Sequence, residues 1–347
     1  ESQGLGIKDI DFVAFYDKPL LKFERLLDTY ISYAPKGLLS FSKAIPIWLR
    51  EKLFLKKIIK DELAKIEKYD KKKLKLLFSE HHLSHAASAY FPSPFVEAAI
   101  LTIDGVGEWP TVSIAKAKGN SIISIKEIRF PHSIGLLYSA FTYYLGFKVN
   151  SGEYKLMGLA PYGDIHAEET QTFKELIINK LCKIYDDGSI FLEQKYFNYA
   201  TGLKMVHEQK WEELFGFPIR KPEDNIEKFH CNLALAIQLV TENVVEKLAI
   251  EAKRVTGCKN LCMAGGVALN CVANGKLQNI SIFDNIYIQP AAGDAGGALG
   301  AALAIYHIYY KKDKIAPDFY DQMKGTYLGP DYCDKEIEYA CRKYKMK

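Results

Sequence analysis

Hydrophobic and polar positions change rhythm twice along this chain of 347 residues. The run Asp11-Phe-Val-Ala-Phe-Tyr16 reads as a short strand closed by Asp17-Lys-Pro19, and from there to about residue 78 apolar positions recur at helical spacing among many lysines. Within Trp48 to Leu76 (WLREKLFLKKIIKDELAKIEKYDKKKLKL) the pattern predicts helix with a buried stripe and a solvated lysine-rich face. Interleaved acidic residues dilute the basic run, which speaks against a membrane-surface or RNA-binding helix.

From Ala98 the rhythm becomes that of strands. Ala98–Ile103, Thr111–Ala117 and Ile122–Phe130 are predicted as three of them, with Lys118-Gly-Asn120 turning between the last two. A helix is predicted over Ile134–Leu145, N-capped by Ser133, with apolar residues at 134, 137, 141 and 145. By analogy of topology, β-β-β-α is half of a ribonuclease-H-like unit. From about 165 to 228 the pattern is irregular and rich in aromatic and charged residues, as expected of an insertion or cap. A long helix over about 229–254 is marked by Leu233, Ile237, Val240, Val244, Leu248 and Ala252 and ends near Gly257. Strand (Asn260–Met263), helix (from about Ala268), strand (Asn285–Gln289) and helix (from Ala295) then alternate, predicting a βαβ arrangement with parallel pairing.

Composition narrows the class. Hydrophobic residues are 48% and charged residues 25%, and no window approaches the roughly 18 apolar residues of a membrane span. A formal charge of +4 gives no global basic footprint of the kind nucleic-acid binders carry. Seven cysteines without CxxC pairs suit reduced thiols and a cytoplasmic chain. The opening ESQGLGIKDI has neither a starting Met nor the layout of a secretory signal, so an internal start is expected, with further chain upstream.

Candidate chemistry concentrates at Glu80-His-His-Leu-Ser-His-Ala86, which holds three of the eight histidines. On a helix His81 and His85 share a face and offer two imidazoles to one ion, while His82 points elsewhere; satisfied or exposed histidines are the alternative. Further ligands to such an ion would be carboxylates. Asp104 ends an apolar strand where the chain turns over Gly105 and Gly107, a position expected at a sheet edge. Asp294 lies in Pro290-Ala-Ala-Gly-Asp-Ala-Gly-Gly297 before a helix, where an N-cap is the competing reading. The turns Asp104-Gly-Val-Gly107 and Ala264-Gly-Gly-Val267 let backbone N–H groups approach phosphate oxygens. Neither is a GxxxxGK[ST] loop, and GxGxxG is absent from a strand-turn-helix setting, which argues against a P-loop NTPase or a Rossmann dehydrogenase. Lys155, within Asn150–Gly163, either neutralises phosphate charge or is an ordinary surface lysine.

Six ordered stretches, HHLSHAASAYFPSPF (81–95), AILTIDGVGEW (99–109), FPHSIGLLYSAFTYYLGF (130–147), GEYKLMGLAPYG (152–163), MAGGVALNCVANGKL (263–277) and QPAAGDAGGALGAAL (289–303), resemble the NodU/CmcH carbamoyltransferase family. The resemblance implies an α/β chain of the actin-like ATPase/ribonuclease-H-like (ASKHA) superfold with an insertion, truncated at both ends. Residues 1–96 would be the remainder of a first lobe, with the lysine-rich helical segment and the HHxxH helix. Residues 97–330 would form the second lobe with its insertion at about 165–228, and 331–347 the start of a linker to a YrdC-like domain in cis. It also implies a divalent metal on His81, His85, Asp104 and Asp294, with iron expected and zinc as the alternative. Gly105, Gly107, Gly265, Gly266 and Asn270 would cradle ATP or carbamoyl-adenylate, with Lys155 at the phosphates. Lys155 and His132 are the catalytic candidates; His132 would line the acceptor pocket with Tyr196, Phe197, Tyr199, Trp211 and Phe215, unless these pack as core.

The implied reaction makes carbamoyl-adenylate from carbamoyl phosphate and ATP, then passes the carbamoyl group to a hydroxyl of a sugar, antibiotic or other secondary metabolite. No nucleic acid or membrane enters it, and a homodimer is compatible with it. A small-molecule kinase of the same superfold, disfavoured because HHxxH is not a sugar-kinase feature, and a non-catalytic metal- or nucleotide-binding domain are the alternatives.

Overall fold

The computed structural model describes residues 4–50, 54–315 and 321–346. In chain order the elements are β1 (Val13–Phe15), α1 (Pro19–Tyr33), α2 (Leu38–Trp48), α3 (Leu55–Ile66), β2 (Leu76–Phe78), α4 (His81–Tyr90), β3 (Glu97–Ile103), β4 (Pro110–Lys118) and β5 (Ser121–Arg129). There follow α5 (Ile134–Tyr144), α6 (Glu153–Leu159), α7 (Glu168–Leu176), β6 (Cys182–Ile184), β7 (Ile190–Leu192), α8 (Glu208–Phe215) and α9 (Lys228–Thr256). The chain closes with β8 (Asn260–Ala264), α10 (Cys271–Asn279), β9 (Asn285–Ile288), α11 (Asp294–Ala304) and α12 (Asp334–Lys343).

A mixed sheet of order β5-β4-β3-β8-β9 is the centre of this α/β architecture: β3, β4 and β5 are antiparallel, while β3, β8 and β9 run parallel. β3 lies in the middle with helices on both faces, which is why its sequence is almost continuously apolar rather than alternating. Ala99, Leu101 and Ile103 enter one core with α5 and α9; Ala98 and Ile100 enter a second with Ala86, Ala87 and Tyr90 of α4. Ser133 caps α5 by accepting the Leu136 N–H at 3.0 Å, and Gly257, at φ +66°, ends α9.

Two expectations change. Trp48–Leu76 is not one helical run: α2 ends at Trp48, α3 occupies Leu55–Ile66, and β2 follows at Leu76, pairing in parallel with β1 in the register Val13↔Leu76 to Phe15↔Phe78. Three apolar residues behind a lysine-rich turn are too few to display a period of two. Residues 165–228, irregular in pattern, carry α7, the β6–β7 hairpin and α8. Phe173, Ile177, Leu181, Leu192, Trp211 and Phe215 from this stretch are buried in the same core as α5 and α9. Among the described residues no helix is long and apolar enough to cross a membrane.

Candidate metal centre

Three elements converge on one point. Central strand β3 ends at Ile103 and hands the chain to Asp104, so this carboxylate stands at the end of the middle strand and not at a sheet edge. The first turn of α4 supplies His81 and, one turn on, His85. α11 supplies Asp294 as its first residue; Gly293 is the N-cap, so the capping reading of Asp294 gives way to a carboxylate turned toward the histidines. His81 Nε2 lies 3.1 Å from His85 Nε2, 3.0 Å from Asp104 Oδ2 and 3.6 Å from Asp294 Oδ1. His85 Nε2 is 3.8 Å from Asp104 Oδ2 and 3.6 Å from Asp294 Oδ1. One donor atom from each residue falls within 4.8 Å of all the others. Both imidazoles are buried while the Asp294 side chain is 60% exposed, so the cluster opens to solvent on the α11 side.

This donor set fits a divalent cation. Two buried ring nitrogens facing one another can share at most one proton, and two carboxylate oxygens beside them complete a nitrogen–oxygen set that iron or zinc accepts. Burial pushes His81 down, but its hydrogen bonds to Asp104 and Asp17 outweigh that and raise it to about 9. For Asp104 burial pushes upward, and the His81 hydrogen bond together with the positive charge on the histidine pair carries it far below the usual carboxylate range. His82 faces away: its Nδ1 lies 2.9 Å from Ser113 Oγ, and burial lowers it to about 3, so it stays neutral.

Residues the sequence did not nominate hold the cluster in place. Asp17 Oδ1 is 2.8 Å from His81 Nδ1. Glu108 accepts the backbone N–H of His81, at 3.1 and 3.0 Å, and that of Lys18 at 2.8 Å, so one buried carboxylate ties the start of α4 to the start of α1. The Arg25 guanidinium donates to Gly107 O at 2.6 Å. Glu108 had a visible signal, since it closes the Asp104-Gly-Val-Gly-Glu108 stretch; Asp17 and Arg25 had none.

The other nominated residues divide. Gly266 donates its N–H to Asp104 Oδ1 at 3.0 Å, which ties the turn after β8 to the cluster. Gly265 is at φ +93°, and a Cβ added there would collide with the Ile103 backbone. Gly105 O accepts from Ser133 Oγ at 2.7 Å, and the Gly107 N–H donates to Pro110 O at 2.9 Å. Asn270 is buried; its Oδ1 accepts the Ala273 N–H at 3.1 Å, and its Nδ2 donates to Gln238 Oε1 at 3.0 Å, so its amide caps α10 and braces α9. Lys155 is exposed on α6. His132 Nδ1 accepts the Leu192 N–H at 3.1 Å and its ring packs on Phe191, which together support the β6–β7 hairpin. Among the described residues no side-chain hydrogen bond or ion pair joins Lys155 or His132 to the cluster. Trp211 and Phe215 pack on Phe141 and Tyr144 as core, and the Tyr199 hydroxyl donates to Pro131 O at 2.7 Å.

A family model described as the carbamoyltransferase N-terminus matches residues 1–303, a span that contains His81, His85, Asp104 and Asp294. This chain belongs to the carbamoyltransferase N-terminus family. An uncharacterised Synechocystis protein, sll1178, is 53% identical over 336 residues, covering 96% of this chain and 53% of that protein. The nodulation protein NolNO of Sinorhizobium fredii is 33% identical over 341 residues, covering 97% of this chain and 44% of its own length. As a member of the carbamoyltransferase N-terminus family, the chain thus spans about half the length of the curated relatives it matches. The crystal structure of T. kodakarensis HypF overlays with a TM-score of 0.35 at 13% identity, covering 72% of this chain and 39% of that one, a likeness too low to bear on fold or activity.

Proposed function

We propose that this chain is the transfer part of an ATP-dependent O-carbamoyltransferase. It would pass a carbamoyl group from carbamoyl-adenylate, made from carbamoyl phosphate and ATP, to a hydroxyl of a sugar, antibiotic or other secondary metabolite. The observation that carries the reading is the convergence of two imidazoles and two carboxylates at the end of the central strand, in a chain of this family. The order of three antiparallel strands, α5, and then parallel β8 and β9 supports placing it in the ASKHA superfold. We assign adenylate formation to a YrdC-like module outside these residues. All seven cysteines are free thiols, in keeping with a cytoplasmic setting.

His81, His85, Asp104 and Asp294 would hold the cation, iron or alternatively zinc, which when bound supplies Lewis-acid polarisation of carbonyl or phosphate oxygens. The chain's own residues do the positioning. Gly266 fixes one oxygen of Asp104 and leaves the other facing the histidines. Gly265 lets the β8–α10 connection pack against the Ile103 main chain beside Asp104, and a nucleotide would lie along that connection. Lys155, unpaired with any acidic residue among those described, is free to approach phosphates.

The test supplies the full-length protein with carbamoyl phosphate and ATP. AMP and pyrophosphate are the expected products. Release of ADP would instead indicate a small-molecule kinase of the same superfold, and no turnover of ATP would leave a non-catalytic binding domain.

A further inference from the structure

Asp17 lies two residues past the end of β1, where the chain turns into α1, and its side chain is only 8% exposed. Its two oxygens are divided between two partners. Oδ1 lies 2.8 Å from His81 Nδ1, and Oδ2 lies 2.7 Å from Lys22 Nζ in the first turn of α1. An ionised carboxylate only accepts hydrogen bonds, so the His81 nitrogen facing Asp17 carries the proton. In a neutral imidazole that leaves Nε2 with its lone pair bare, and Nε2 is the atom that faces His85, Asp104 and Asp294. Lys22 gives Asp17 a cationic partner, which favours the ionised, accepting state. The geometry is fixed from the main chain as well, because Glu108 binds the N–H of His81 and the N–H of Lys18, the neighbour of Asp17. His85 has no such support: its Nδ1 is buried without a hydrogen-bond partner among the described residues.

We propose that Asp17, backed by Lys22, is a positioning residue that sets the tautomer and ring orientation of His81 for cation binding. This rests on reading the cluster as a metal centre. An outer carboxylate of this kind raises the basicity of the imidazole and removes its freedom to rotate, and its loss commonly weakens metal affinity 10- to 100-fold, roughly.

The test titrates the whole 347-residue chain with Co²⁺ against a competing chelator, reading both affinity and the ligand-field absorption bands. Wild type, Asp17→Ala, Asp17→Asn, Lys22→Met and His81→Ala are compared, each with a melting curve taken without metal. Wild type is expected to bind one cobalt and His81→Ala to show no specific band. Asp17→Ala should bind about 10- to 100-fold more weakly with altered bands. Asp17→Asn, whose amide oxygen still accepts from Nδ1, should lose less, and Lys22→Met less again. Should Asp17→Ala not fold, Asp17→Asn and Lys22→Met carry the decision. Folded Asp17 variants that bind cobalt with wild-type affinity and wild-type bands, while His81→Ala does not bind, would overturn the role of Asp17 and leave the metal centre standing. Wild type that takes up no more cobalt than His81→Ala would overturn the metal reading, and the role of Asp17 with it.

Discussion

Lys155 stands exposed on α6 without an ion pair among the described residues, so replacing it with Met should change stability by less than about 0.5 kcal/mol. If it serves phosphates, ATP affinity should fall by the roughly 1.5–3 kcal/mol of a charge-assisted hydrogen bond, read by nucleotide titration of a variant with an unchanged urea midpoint. Equal ATP affinity in the two proteins would return Lys155 to the ordinary surface. At this scale legibility depends on sequence distance. His81 and His85 announce themselves by helical spacing, and Asp104 by ending an apolar strand. Asp17 is 64 residues from the imidazole it touches, and no local pattern encodes that contact. Asn270 is ambiguous for another reason: a small amide in a glycine-rich turn looks the same whether it caps a helix or binds a nucleotide, and here its Oδ1 accepts from Ala273 and its Nδ2 donates to Gln238.

Between elements, the decisive packing is that of α11 on α4, because it sets how far Asp294 stands from the two histidines. Gly300 makes the approach possible: a Cβ there would overlap the backbone carbonyl of Ser84. Gly300→Ala should therefore cost about 1–3 kcal/mol of stability despite alanine's better helix propensity, and should weaken cation binding by moving α11 outward. Gly275→Ala is the control. It lies inside α10 with no atom of the described residues within 4 Å of the added Cβ, and should be neutral or stabilising by up to about 1 kcal/mol. Urea denaturation of both variants separates the cases, and a Gly300→Ala protein as stable as wild type would show that the helices adjust freely. The sequence displayed α11 and the central strands readily, since buried parallel strands and a Gly/Ala-rich helix have strong patterns. It did not display β2 or the elements between 165 and 228. Those are short, and their burial is decided by the α5–α9 surface they meet, not by their own periodicity.

For the whole molecule, the cluster ties together residues from three distant parts of the chain: α4, the end of β3, and α11 190 positions beyond Asp104. In the unfolded chain only the two histidines remain near each other, so a cation that fits the cluster binds the folded state far more tightly than the unfolded one. Mass action then stabilises the fold by about 2.7 kcal/mol when the free cation is 100 times its dissociation constant. Melting curves should accordingly rise with added Fe²⁺ or Zn²⁺ under anaerobic conditions and fall back when a chelator is added. His85→Ala removes one donor of four and, since its Nδ1 has no hydrogen-bond partner among the described residues, loses no hydrogen bond to them on that side of the ring. It should melt at the same temperature with and without the ion. A wild-type melting temperature that ignores both cation and chelator would mean that the four side chains balance one another as a closed network of histidines and aspartates, with no place for a metal among them.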